Sequence, residues 1–377
     1  MKNVLFIGPY RQRDGWGRAS RDYLKALSKT KFNVSSKPIF MAASVDEDVP
    51  SYVEKLENTV LKARPDVVIQ NALPHYFDYQ ADCHNIGISY FETAGWKPIG
   101  WANHINLLDE MWVSSETEKQ ILLNDGVNVP VSVVPMPIDM DWLNPEAEPL
   151  KLPEMEDCYV FYFLGEKIYR KNIMGLVLAF HREFARSEPV KLVIKTSKLL
   201  RSAEDLSSEL QGEILDLKKK MRLYASLQDY HREFIITDFL SEAELNGLHV
   251  LGDCLVIPSR GESLSRPVME AMVMGNQVVV TDNTPMSELT GNAGLHIDSH
   301  EVPVVVSDFP LRQLYTSHET WQEPNIISMQ KQMRAAYEMS EERKGQRKEA
   351  LQKRIQNYTH DSIAKLMEGK ICHPLET

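Results

Sequence analysis

The chain has 377 residues, a formal net charge of −11, 43% hydrophobic and 25% charged residues. These are soluble-globular proportions that exclude wholesale disorder, and at ~150 residues per domain the length suggests about two domains. A chain this acidic does not hold long nucleic acid by bulk field alone, although a local basic face stays open. Cys83, Cys158, Cys254 and Cys372 are far apart and form no CxxC, which argues against a disulfide scaffold or a cysteine zinc site and favours a reducing cytoplasm. The apolar run Val4–Ile7 stops at Gly8-Pro9, too short for a signal peptide, and no segment approaches the ~18 apolar residues of a membrane span.

In chain order, Val4–Ile7 reads as an apolar strand, followed by a loop with Gly15 and Gly17 and a helix burying Ala19, Tyr23, Leu24 and Leu27. Val34 to Phe40 suggests a strand, and Val53, Leu56, Val60 and Leu61 space as a helix. Asp66–Gln70, Ile86–Phe91, Glu110–Ser114 and Val131–Val134 are further strands. Prolines 135, 137, 145, 149 and 153 then mark a linker. The alternation restarts with strands at Tyr159–Leu164, Val190–Lys195, Ile235-Ile236, Cys254–Pro258 and Gln277–Thr281. Between them lie helices on Ile173–Phe184, about Ser202–Ser226 and Ser241–Leu251, and from about Glu323 the chain reads as helical. Apolar strands alternating with helices predict α/β architecture, two consecutive doubly wound units with parallel sheets. Ligands in such units bind beyond the carboxyl ends of the strands, so two facing units imply a cleft.

The most informative stretch runs from Pro258 to Met272. A strand ends at Pro258, a loop carries Arg260, Gly261 and Glu262, and Pro267 suits the first turn of a helix that also bears Glu270. Free amides around Ser263 to Val268, including those of Leu264, Ser265 and Arg266, would form an anion site. Two carboxylates flanking that cradle suit the hydroxyls of a sugar and of a ribose. The bland alternative is a capped helix with a solvated Glu270.

With Glu262, Glu270, Ala271-Met272, Gly275, Val278–Asp282 and Glu288-Leu289, the sequence resembles the family 4 retaining glycosyltransferases of the GT-B fold. The family has glycines where this chain has Ser263 and Ser265. The resemblance implies two facing Rossmann-like domains with a cleft between them. Residues 1–150 would form the acceptor-side domain, with a C-terminal helix at about 352–377 packing back on it, and 151–351 the donor domain. The turn Gly165 to Asn172 resembles the one that supplies an Arg and a Lys to the donor diphosphate. Lys171 matches the Lys, Glu166 stands where the Arg is usual, and Lys167 or Arg170 could substitute. Gly8 to Arg18 resembles the family's N-terminal glycine loop, with Gly15 and Gly17 allowing close backbone approach. Glu92 stands near the position of a family His and would touch the sugar or acceptor, or else cap a loop. Trp96 and Trp101 could stack on a sugar or pack in a core.

The resemblance further implies a retaining, metal-independent transfer from a nucleotide-diphospho sugar, with no other cofactor. The acceptor would be a glycan or lipid-linked glycan. Protein or nucleic acid is an alternative acceptor, favoured only by Arg11, Arg13, Arg18 and Arg21, and a noncatalytic nucleotide-sugar-binding module is a third reading. Asp139-Met140-Asp141 reads as a linker feature, His296 and His300 as loop residues and Lys218–Lys220 as a solvated helix face.

Overall fold

The computed structural model describes residues 1–41, 48–94, 100–198, 201–305 and 315–373. They form two compact units, Met1–Asp139 with Gln356–Thr377, and Met140–Ile355.

The first unit contains β1 (Asn3–Gly8), α1 (Gly15–Ser28), β2 (Asn33–Pro38), α2 (Ser51–Glu57), β3 (Val67–Asn71), β4 (His84–Ile88), α3 (Trp101–Ile105), β5 (Glu110–Val113), α4 (Glu116–Asn124) and β6 (Val131–Val133). Its strands form one parallel sheet in the order β2-β1-β3-β4-β5-β6. Every residue of β3 is buried, as expected for a strand covered on both faces. Ser115 caps α4 by accepting from the Glu118 amide at 3.1 Å. Helix α2 is shorter than its apolar spacing predicts: it ends at Glu57 and leaves Val60 exposed.

The second unit contains β7 (Tyr159–Glu166), α5 (Ile173–Glu183), β8 (Val190–Ser197), α6 (Ala203–Met221), β9 (Glu233–Ile236), α7 (Glu242–Leu251), β10 (Cys254–Ile257), α8 (Arg266–Met274), β11 (Gln277–Thr281), α9 (Pro285–Thr290), β12 (Leu295–Ile297), β13 (Ser299–Pro303), β14 (Thr320–Pro324), α10 (Ile326–Tyr337) and α11 (Glu341–Ile355). Its six-stranded parallel sheet has the order β12-β11-β10-β7-β8-β9. Counted from β7, that is the 3-2-1-4-5-6 order of a dinucleotide-type sheet, with its switch point between β7 and β10. Strands β13 and β14 pair antiparallel outside this sheet. The chain then returns to the first unit with α12 (His360–Cys372), which packs on α1.

Two readings of the sequence change. His296 and His300 lie on β12 and β13 rather than in a loop, and His296 meets Thr290 Oγ1 at 3.0 Å. Lys218 is not a solvated residue: its ammonium pairs with Glu233 at 2.8 Å and donates to the His231 carbonyl at 2.9 Å. Asp139, read as a linker feature, closes the first segment of the first unit and pairs with Lys25 at 2.8 Å. Trp101 is buried beside Phe91, ring centroids 6.2 Å apart, so it serves the core; Trp96 lies outside the described residues.

Candidate functional site

Two chain segments leave the carboxyl ends of β7 and β10, the strands that flank the switch point of the second sheet. After β7 the chain makes a tight 3-10 turn, Tyr169–Lys171, and Asn172 closes it at φ 57. Asparagine tolerates that left-handed conformation better than most residues. After β10 comes the loop from Pro258 to Ser265, ended by α8 with Pro267 in its first turn and Gly275 closing it at φ 81. The two segments are laced together: the Arg260 amide donates to the Arg170 carbonyl at 2.8 Å.

This lacing brings three sequence-predicted residues into contact. Lys171 Nζ donates to Glu262 Oε1, and Arg170 Nη1 lies 3.2 Å from the same oxygen and also donates to the Gly261 carbonyl. All three side chains are largely buried. Burial raises the Glu262 pKa, but the charges of Lys171 and Arg170, and then the Lys171 hydrogen bond, outweigh it and hold the carboxyl at about 2. Lys167 and Arg170, the two candidates to stand in for the usual Arg, point in different directions. Lys167 turns away to Glu209 and Glu213 on α6, at 2.8 and 2.9 Å, while Arg170 turns onto Glu262.

Beyond Glu262 the loop is polar and buried. Ser263 and Ser265 are buried, and their hydroxyls have no hydrogen-bond partner among the described residues. Ser265 stands at the N-cap of α8 without a side-chain capping bond, so hydroxyl and helix-terminal amide groups lie together there. Buried groups of this kind are costly unless a ligand or water completes them. Leu264 is buried and Arg266 is the first residue of the helix.

Glu270 is not a solvated helix residue. It is buried, with Oε2 3.4 Å from His249 Nε2, and the other ring nitrogen of His249 meets the Tyr162 hydroxyl at 2.8 Å.

Gly15, Gly17 and Glu92 belong to the first unit. Gly15 begins α1, and a Cβ there would meet nothing within 4 Å. Gly17 serves its own loop instead: a Cβ there would lie 1.9 Å from the Gln12 carbonyl oxygen. Glu92 is half-buried just beyond β4. Of the basic residues that kept a nucleic-acid acceptor open, Arg11 pairs with Glu57 at 2.5 Å and Arg21 donates to the Tyr10 and Gln12 carbonyls.

Two residues at this end of the second sheet were given no role in the sequence reading. Arg260 is buried and chelated by Glu323 on β14, at 2.5 and 3.0 Å. Lys195, near the end of β8, is buried, its pKa lowered by burial, and it donates to the Thr196 carbonyl at 3.1 Å. A buried lysine near the end of a mostly apolar strand was the available signal for the second, and the partner of the first lies far along the chain. Among the described residues no cluster of three His, Cys, Asp or Glu side chains is placed to hold a metal ion, and no helix is long and apolar enough to cross a membrane.

Residues 160–309 match the family model described as glycosyl transferases group 1, the family that the Glu262–Glu270 stretch resembles. No curated protein matches the chain by sequence. Among solved structures, an E. coli structure described as trehalose-6-phosphate bound with UDP-2-fluoro glucose is 10% identical, with a TM-score of 0.69 over 99% of this chain and 99% of that one. A glycosyltransferase from Rickettsia africae is 13% identical, with a TM-score of 0.65 over 100% and 99%. Sucrose-phosphate synthase from Thermosynechococcus elongatus is 12% identical, with a TM-score of 0.64 over 99% and 98%. At such identities the likeness speaks for the fold, which is the GT-B type built of two Rossmann-like domains.

Proposed function

We propose that the protein is a retaining glycosyltransferase that moves a sugar from a nucleotide-diphospho sugar to a hydroxyl acceptor. The observation that carries this reading is the meeting of Arg170, Lys171 and Glu262 at the switch point of the second sheet, beside the uncapped start of α8. A diphosphate leaving group gains negative charge as its bond to the sugar C1 breaks. Cations already fixed where that charge develops stabilise it without reorganising. In this reading Lys171 and Arg170 hold the diphosphate, the amides and hydroxyls around Ser263 and Ser265 add donors, Glu262 holds sugar hydroxyls and Glu270 the ribose. The acceptor oxygen bonds to C1 on the face the diphosphate leaves, and its proton passes to a diphosphate oxygen. That step needs no Ser/His/Asp set and no resident cofactor, and the positive charge at the diphosphate comes from side chains rather than a metal. The acceptor is a saccharide, free, phosphorylated or lipid-linked; the sugar-phosphate names among the similar structures make a sugar phosphate the first class to try. Four free cysteines fit a reducing cytoplasm.

The test begins with a thermal-shift screen of nucleotide sugars, because a ligand that binds the native state raises its apparent stability. Transfer is then measured with the donor so found. Lys171→Ala is expected to lower turnover by about 10²–10³-fold, the usual effect of removing one charge-stabilising donor. Glu262→Gln is expected to abolish transfer while the far-ultraviolet circular dichroism stays unchanged. Gln is chosen because Ala would strip the carboxylate from two buried cations. Wild-type turnover in either variant refutes the assignment, and donor hydrolysis without acceptor separates an enzyme from a binding module.

A further inference from the structure

We infer that Arg260 is a positioning residue for the diphosphate-binding turn, and that the β13–β14 hairpin is the strut it uses. The inference rests on the donor-site reading above and adds a control on that site from an element outside the main sheet. Arg260 is buried, and each part of it is committed. Its guanidinium takes both carboxylate oxygens of Glu323 on β14, at 2.5 and 3.0 Å. Its remaining terminal nitrogen donates to the Tyr169 carbonyl at 2.5 Å, and the guanidinium plane stacks on the Tyr169 ring, 4.0 Å from the centroid. Its amide donates to the Arg170 carbonyl, and its own carbonyl accepts from the Gln322 amide, both at 2.8 Å.

One residue therefore grips the turn at two successive carbonyls immediately before Lys171, and holds that grip against β14. Arg260 is also two residues before Glu262, so the same anchor sets the loop that carries the carboxylate. The Arg170–Gly261 hydrogen bond and the pairing of Lys171 and Arg170 with Glu262 also join the turn to the loop; Arg260 adds the tie of both segments to β14. Lysine cannot replace it, because a point ammonium supplies neither the two-pronged bond nor the stacking plane. The cost of losing the anchor falls on geometry at the diphosphate: a displacement of about 1 Å in a charge-stabilising group is enough to forfeit much of its effect.

The experiment measures, by titration calorimetry, binding of UDP, GDP, ADP, CDP and TDP and of the corresponding monophosphates. The proteins are wild type, Arg260→Lys, Glu323→Gln and Lys171→Ala. For the nucleotide that binds wild type, Arg260→Lys is expected to weaken the diphosphate about 10-fold, the size of one well-placed charged contact, and the monophosphate less than 2-fold. Glu323→Gln, which leaves every contact of the turn itself in place, is expected to reproduce the selective loss in smaller measure. Equal weakening of both nucleotides means a merely structural role, and unchanged diphosphate binding in Arg260→Lys and Glu323→Gln means none; either overturns the inference. If Lys171→Ala also binds like wild type, or no diphosphate binds wild type, the donor-site reading falls with it. Loss in Lys171→Ala alone leaves that reading standing and removes only this one.

Discussion

At Glu262, burial by itself would favour the neutral acid, yet Lys171 and Arg170 hold the carboxyl at about 2 against an ordinary value of 4.5. A carboxyl depressed in the folded state binds its proton more readily once unfolded. Its contribution to stability is therefore complete above about pH 4.5 and is lost as pH falls toward 2. Urea denaturation at several pH values should show wild type losing stability over that window more steeply than Glu262→Gln; parallel curves would falsify the ion-pair description. The residue types of this site were legible in the sequence, because a glutamate in a strand-to-helix loop and a lysine in a turn after a strand carry local signals. That Arg170 rather than Lys167 turns onto Glu262 was not, since it depends on Glu209 and Glu213 of α6 holding Lys167. Nor was the setting of Glu270, whose partner His249 comes from a different helix.

The strands of the two parallel sheets announce themselves as short apolar runs, and those runs fall where β1, β3, β7, β10 and β11 fold. The hairpin of β13 and β14 gives no such signal. Ser299–Pro303 and Thr320–Pro324 are polar, proline-bearing and half-exposed, and what fixes β14 is Arg260 and the neighbouring strand rather than its own pattern. Glycines show the same split between what a pattern suggests and what packing demands. Gly17→Ala places a methyl group against the Gln12 backbone, which cannot yield as a side chain would, and should cost about 1–3 kcal/mol. Gly15→Ala meets open space and should be neutral or stabilising by up to about 1 kcal/mol. Thermal midpoints of the two variants check this, and equal midpoints would contradict it.

The first unit is built from both ends of the chain. Its last helix, α12, buries Ile363, Met367 and Ile371, and His360 meets Asp22 of α1 at 3.1 Å. Ending the chain after Ile355 removes that layer. Hydrogen exchange of the shortened protein should show protection lost within residues 1–139 and kept within 140–355; protection retained in both would mean that α12 is dispensable to its unit. The two-unit plan was readable because each unit repeats the same alternation, whereas the docking of α12 rests on contacts that no local spacing encodes. The discontinuity also sets a timetable on the ribosome. The second unit, contiguous from Met140 to Ile355, has emerged in full while the first still lacks its closing segment. The segment translated first is thus completed only after the later unit, and a nascent chain stalled after Ile355 would carry a finished second sheet while the first still awaited its cover.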